Sequence, residues 1–185
     1  MGVVITNDLH WRENTAEIIK KVNKRFYHLC KLRQFGVKRE ERLKTWNALI
    51  RPITEYAAPL WHSGLLECDN CLLENLQKKA LGLIFGTTYI GYRRYYRING
   101  KPVSYELALK ACELDSLAER RDELTTKFAH DTYNNPMHKD FFEVITGPRP
   151  NTRSKPEVQI PFCSTSRYSK SAIPAFTKII NSKSK

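Results

Sequence analysis

A chain of 185 residues, 41% hydrophobic and 27% charged, has the composition of a folded protein and not of a disordered one, and its length fits one or two small domains. Lys and Arg number 31 against 19 Asp and Glu, a formal charge of +12, which favours a polyanion partner, nucleic acid before a membrane surface. Five unevenly spaced cysteines argue against a disulfide framework and for a reducing compartment, cytoplasmic or nuclear; no apolar run reaches membrane-span length, and no secretory apolar region follows the start.

Gly2-Val3-Val4-Ile5-Thr6 is a β-branched run and reads as one short strand, with Asn7-Asp8 as the turn after it. A lone strand is not stable by itself, so its sheet is expected upstream. Met1-Gly2 with Thr6 also fits the N-myristoylation pattern, which is short and frequent by chance. The first helix is expected to begin at Asn14, with Glu17 closing a capping box. Ile18, Ile19, Val22, Phe26, Leu29 and Leu32 recur at helical spacing, and Gly36 supplies the stop. The other face carries Lys20, Lys21, Lys24, Arg25, Lys31 and Arg33. From Arg12 to Arg51 twelve basic residues stand against four acidic ones, either a solvated face or a surface for phosphates.

A second helix, Val37 to Ile50, has Leu43, Trp46, Leu49, Ile50 and Ile53 as its buried stripe. It runs into Arg51–Trp61, where Pro52 must end or kink it. There Ala57 and Ala58 permit close backbone approach, while Tyr56 and Trp61 bring apolar area with one polar handle each. Cys68 and Cys71 have the spacing of half a zinc site, but His62, Cys112, His130, His138 and Cys163 offer no second close pair. The better reading makes them packing residues and makes Asp69 or Asn70 the cap of a third helix, Asp69 to Phe85, closed by Gly86. Leu72, Leu73, Leu76, Ala80, Leu83 and Ile84 are its apolar positions.

No acidic residue lies between Asn75 and Tyr105. Within this span Arg93, Arg94, Tyr95, Tyr96 and Arg97 interleave basic and aromatic chemistry without strong helix signals. They read equally as a loop whose tyrosines pack back on the domain and as a nucleic-acid contact in which arginines grip phosphates and tyrosines stack. A fourth helix follows from Val103 to Leu114 and a fifth from Ser116 to Tyr133, the latter opened by a Ser116–Glu119 capping box and ended by Asn134-Asn135-Pro136. A short amphipathic piece holds Phe141, Phe142, Val144 and Ile145. From Gly147 five prolines and eight basic residues against Glu157 alone mark a basic tail. In it, residues 147–156 are expected to be mobile, Val158 to Phe162 extended and Ile173 to Ile180 anchored.

Five stretches carry a resemblance. Arg51-Pro52-Ile53-Thr54-Glu55-Tyr56-Ala57-Ala58-Pro59-Leu60-Trp61 resembles a signature in the thumb region of reverse transcriptases of non-LTR retrotransposons, the jockey-like and related elements. Gly2-Val3, Ile5, Leu9 and Trp11 resemble the segment that closes the palm of those polymerases, with Met1 where a bulky residue is usual. Gln77-Lys78-Lys79-Ala80-Leu81 resembles a recurring run, and so does Leu114-x-Ser116-Leu117-x-x-Arg120-Arg121, except that Glu113 stands where a glycine is usual. Arg167-Tyr168, Ser171, Ile173-Pro174 and Asn181 resemble the closing motif, in which an extended segment returns to the helical body.

The resemblance implies the end of a palm at 1–11, a thumb at 12–133 and a C-terminal extension at 134–185. It implies a mainly α fold, a thumb-like helical bundle with one short N-terminal strand and an irregular, partly extended tail. The first helix would lie along a primer–template duplex, RNA–DNA or DNA, or on RNA, and the missing palm would be a partner. The complete enzyme would use Mg2+. Such a polymerase holds two metal ions with clustered carboxylates, normally including an Asp-Asp pair. Asp8, Asp69, Asp115, Asp122, Asp131 and Asp140 include no adjacent pair, and no Gly-rich phosphate loop is present. No catalytic residue and no cofactor are therefore assigned, and the chain alone is expected to be catalytically silent. The alternatives are a stand-alone basic helical nucleic-acid-binding module and a remnant without function.

Overall fold

The computed structural model describes residues 2–8, 10–90, 92–145 and 157–182, apart from the side chain of Lys139. The 147–156 stretch expected to be mobile lies outside them, as does Leu9. The fold is mainly α-helical with one small antiparallel sheet. Among the described residues no helix is long and apolar enough to cross a membrane.

The N-terminal segment is not a strand: residues 2–6 join no ladder. Among the described residues the β-branched run pairs with no strand, and side chains hold it instead. Val4 N–H donates to Asn14 Oδ1 at 3.2 Å, and the Thr6 hydroxyl bonds His10 C=O at 2.9 Å. Helix α1 (Arg12–Gln34) therefore starts two residues early, without a side-chain cap. Asn14 is spent on Val4, so the expected capping box does not form. The stop at Gly36 is as expected: φ is +70°, and Val37 and Gly36 N–H groups close back on Leu32 and Arg33 carbonyls in a Schellman motif. Ile18, Val22, Phe26 and Leu29 are buried, and Phe26 stacks on Trp46 at 6.3 Å between ring centroids.

The second helix arrives in pieces: α2 (Arg39–Thr45), a π-helical turn (Trp46–Ile50), α3 (Arg51–Glu55) and α4 (Ala58–Trp61). Pro52 has no N–H, and its ring would press on the carbonyl four residues back; the wider π turn, closed by Arg51 N–H to Trp46 C=O, accommodates it. One extra residue in the turn rotates the stripe, so Trp46 and Ile50 are buried while Leu49, expected inside, is exposed. Ala57 takes a left-handed φ of 52° between α3 and α4. Trp61 is fully buried, and its indole N–H donates to Tyr56 C=O at 3.0 Å. The α3–α4 stretch thus anchors in the core through Thr54, Ala58 and Trp61, while Tyr56 and Leu60 are exposed.

After a 3-10 turn (His62–Gly64), α5 (Glu67–Phe85) packs along α1. It too starts two residues early, from Leu66, so neither Asp69 nor Asn70 caps it: Asp69 is buried in the first turn and Asn70 accepts from Arg121. Leu73, Leu76, Ala80 and Ile84 are buried as expected, Leu72 is exposed, and Gly86 ends the helix at φ +83°. Cys68 and Cys71 are exposed free thiols, not packing residues.

The segment expected as a loop is a meander, β1 (Thr87–Ile90), β2 (Arg93–Ile98) and β3 (Lys101–Val103), all antiparallel. The signal for it is Asn99-Gly100: with φ +49° and +77° it makes the tight turn between β2 and β3. Next come α6 (Tyr105–Ala111), capped by Ser104, and α7 (Leu117–Asn134), opened by the Ser116–Glu119 capping box. Gln77, buried on α5, donates to Asp115 C=O at 2.8 Å, and Glu74 accepts from Leu117 N–H at 3.1 Å and from the Tyr105 hydroxyl. Burial and Glu74 together raise the Tyr105 pKa.

The tail returns to the body. Val158 is buried, and Asn181 holds it with bonds to the Glu157 and Val158 N–H groups and to Val158 C=O, at 2.8–3.1 Å. After α8 (Ser166–Ser169), helix α9 (Ala172–Ser182) packs Phe176 and Ile180 with Ala129 of α7 in a second core. Arg167 donates to Asp8 C=O at 3.0 Å and meets His10 Nε2 at 2.8 Å, tying the two ends together.

Candidate nucleic-acid interface

Helical geometry sorts the basic residues of α1. At about 100° per residue, Lys20, Lys24 and Lys31 fall on one line opposite the buried stripe, Lys21 lies between that line and the stripe, and Arg25 is exposed at the edge of the stripe, next to the Ile18 position. Arg33 falls on the core-side line, past the end of the core, where its charge and that of Arg39 add to burial in lowering the Arg42 pKa. The structure therefore groups Lys20, Lys24 and Lys31 on the outer line, leaves Lys21 and Arg25 to one side of it, and sets Arg33 apart.

Within the group the charges are not equivalent. Lys20 Nζ lies 3.1 Å from Glu17, and Lys31 Nζ sits 5.5 Å above the Tyr27 ring. Lys21 is half-buried near Ile18, Ile53 and Tyr56. Lys24 and Arg25 are exposed and, among the described residues, have no carboxylate partner. Two further contributors escape the sequence reading. Tyr27 is 62% exposed in the middle of the line, and it follows Lys24 by three residues, so helical spacing could have found it. Lys79 of α5 reaches Asn23 of α1 at 3.1 Å and lies over Phe26, a placement that only the α1–α5 packing reveals.

The sheet divides the second set. Tyr96 is buried beside Tyr105, with ring centroids 6.1 Å apart, and burial raises its pKa; as a stacking residue it is a correction. Arg94 shares its face but lies beyond the core, donating to the Tyr89 hydroxyl at 3.1 Å. Arg93, Tyr95 and Arg97 point the other way, with Arg93 and Arg97 exposed and Tyr95 half-buried.

Arg120 and Arg121 serve the frame. Arg120 Nη1 meets Glu123 at 3.0 Å, and its Nε lies 3.7 Å from Glu55, which itself pairs with Arg51 at 2.7 Å. Arg121 is fully buried over the Trp61 ring. Its Nε–H donates to His62 Nδ1 at 3.3 Å and its Nη2 to Asn70 at 3.0 Å. That fixes the His62 proton on Nε2, aimed at Asp122 at 2.9 Å. Burial lowers the His62 pKa, with Arg121 adding to the effect and Asp122 opposing it.

Asp115, Asp122 and Asp131 line an open groove along α7 with Glu119 and Glu123. Among the described residues no group of three or more His, Cys, Asp or Glu is placed to hold a metal ion, so the donor set does not fit the Mg2+ pair of a polymerase. No family model matches the chain, no curated protein matches it, and no solved structure matches it.

Proposed function

We propose that this chain is the thumb part of an RNA-directed DNA polymerase of the non-LTR retrotransposon kind, and that α1 holds the primer–template duplex through its phosphates. Alone it binds but does not catalyse. The observation that carries this reading is the outer line of α1, where Lys24 stands without a carboxylate beside Lys20, Lys31 and Tyr27, with Arg25 also exposed and free of carboxylates to one side of that line. An exposed cation on a rigid helix binds phosphate by releasing counterions and needs no rearrangement. The exposed apolar residues Ile5, Leu60, Leu66, Tyr168 and Ile173 edge one groove beside the N-terminal segment, the side on which the resemblance puts the palm. A stand-alone binding module is the second reading. It is favoured by the ties from Arg167 and Asn14, which bind the N-terminal segment onto the body of this chain.

Titration of a labelled RNA–DNA hybrid across a salt series tests the assignment. Removing one phosphate-binding cation lowers the slope of log affinity against log salt by about one. Lys24→Glu with Arg25→Glu is expected to lower it by about two and to weaken binding about tenfold or more at moderate salt. Lys20→Glu has the smaller effect, since Glu17 already holds Lys20. Unchanged affinity and slope in the double variant would sink the duplex assignment. Sequence preference on the hybrid would favour the stand-alone module.

A further inference from the structure

We propose that the solvent face of the β1–β2–β3 sheet binds single-stranded nucleic acid, with Tyr95 stacking on a base between phosphate contacts from Arg93 and Arg97. The proposal rests on the reading of the chain as a nucleic-acid binder. It adds a second surface and the strand state that surface takes.

Alternation along β2 defines the face. Tyr96 and Ile98 turn inward with Val103, which packs opposite Tyr96. Arg93, Tyr95 and Arg97 turn outward, and residues opposite one another in an antiparallel pair share a face. Ile90 pairs with Arg93, Thr88 with Tyr95, and Pro102 with Arg97, so uncharged neighbours flank an Arg-Tyr-Arg row on the central strand. The whole span from Asn75 to Tyr105 lacks an acidic residue, so no carboxylate of the sheet neutralises the row.

The groups are also held ready. Arg97 Nε–H donates to the Thr88 hydroxyl at 2.9 Å, which orients the guanidinium and leaves its terminal nitrogens without a partner among the described residues. Tyr95 is half-buried, so its ring is supported by the sheet. Among the described residues no other ring pairs with it, no cation sits over its face, and its hydroxyl makes no hydrogen bond. A supported ring with an open side, between two cations, matches the needs of a nucleobase attached to its phosphates. A duplex keeps its base faces stacked on each other and offers Tyr95 nothing to cover. An unpaired strand exposes them, whatever its sequence.

Fluorescence anisotropy with the full chain tests this, using a labelled 12-nucleotide oligouridine and, separately, a labelled RNA–DNA hybrid. Tyr95→Ala is expected to weaken oligouridine binding roughly five- to hundredfold, with its salt slope and the hybrid affinity unchanged. Tyr95→Phe keeps the ring and binds like the parent. Arg93→Gln and Arg97→Gln each lower the oligouridine salt slope by about 0.7. Melting of Tyr95→Phe and Arg97→Gln checks that the sheet survives. Oligouridine affinity unmoved by Tyr95→Ala, or weakened equally in Tyr95→Phe, overturns stacking. If hybrid binding still depends on Lys24 and Arg25, only this inference falls. If neither nucleic acid binds, the function proposed above falls with it.

Discussion

Two sets of cations in this chain have opposite fates. Around the α3–α4 stretch they turn inward: Arg51 meets Glu55 at 2.7 Å, Arg120 bridges Glu55 and Glu123, and Arg121 is buried between Trp61, His62 and Asn70. On the exposed surface of α1 and the outer face of β2, Lys24, Arg25 and Arg93 have no such partner among the described residues. The difference is energetic. Pulling Arg121 out to a phosphate would leave buried polar groups unpaired, at about 1–3 kcal/mol each. Lys24 gives up only counterions. The stretch richest in resemblance is therefore the frame, and the unpartnered cations lie on elements whose sequence looks ordinary.

The hardest way to break that contrast is to remove Trp61. It is fully buried, anchors Tyr56 C=O and carries Arg121 over its ring. Trp61→Ala is expected to cost about 3–5 kcal/mol, which for a chain of this size lowers the melting temperature by roughly 6–20 °C. Trp61→Phe keeps part of the packing and loses only the indole N–H bond and some volume, so its cost is smaller. Thermal unfolding followed by circular dichroism measures both. If Trp61→Ala melts within about 2 °C of the parent, the inward set is not organised around this side chain. Lys24→Glu with Arg25→Glu is the matched control, expected within about ±0.5 kcal/mol because both residues are exposed.

A graded effect comes from His62. Burial lowers its pKa in the folded protein below the ordinary 6.5, so around and below that value the unfolded chain binds the proton more readily. Its contribution to stability is fully present above pH 6.5 and disappears as pH falls through the folded-state pKa. The charged groups facing it are Arg121, which opposes protonation, and Asp122, which favours it. His62→Gln is expected to flatten the stability profile between about pH 5 and pH 7. Urea unfolding at a series of pH values reads this directly. A profile unchanged by the substitution assigns the pH dependence elsewhere.

What the sequence made legible follows from periodicity and caps. Ile18, Val22, Phe26 and Leu29 mark α1, Ser116 with Glu119 opens α7, and Gly36 and Gly86 stop their helices. The phase of the second helix is not legible past Trp46, because a π turn inserts a residue without any change in hydrophobic pattern, and Leu49 swings outward. Tyr95 and Tyr96 look equivalent as neighbours in a sequence. Only their place on a strand separates an outward-facing residue from a core residue, and Asn99-Gly100 is the local sign of that strand. The first residues mislead in the other direction: a β-branched run without a partner is taken up by Asn14 instead of a sheet. Lys79 joins the α1 surface through packing across 56 residues of sequence, which no local pattern encodes.

The smallest expected effect separates the frame from its own departures. Glu113 occupies the position where the resembling polymerases usually carry glycine, and it adopts φ +53°. The turn is a Schellman closure: Leu114 N–H bonds Leu109 C=O at 3.0 Å and Glu113 N–H bonds Lys110 C=O at 3.2 Å. A left-handed conformation costs an L-residue about 1–2 kcal/mol, partly offset by the extra chain entropy that glycine loses on folding. Glu113→Gly is therefore expected to stabilise the fold by about 0.5–1 kcal/mol in urea unfolding. Oligouridine and hybrid binding should not change, because Glu113 lies on neither α1 nor the sheet. A loss of stability would mean that the Glu113 side chain contributes more than its backbone strain costs. A change in binding would mean that the frame and the binding faces are coupled through the α6–α7 turn, and the separation between inward and outward cations would then be too clean.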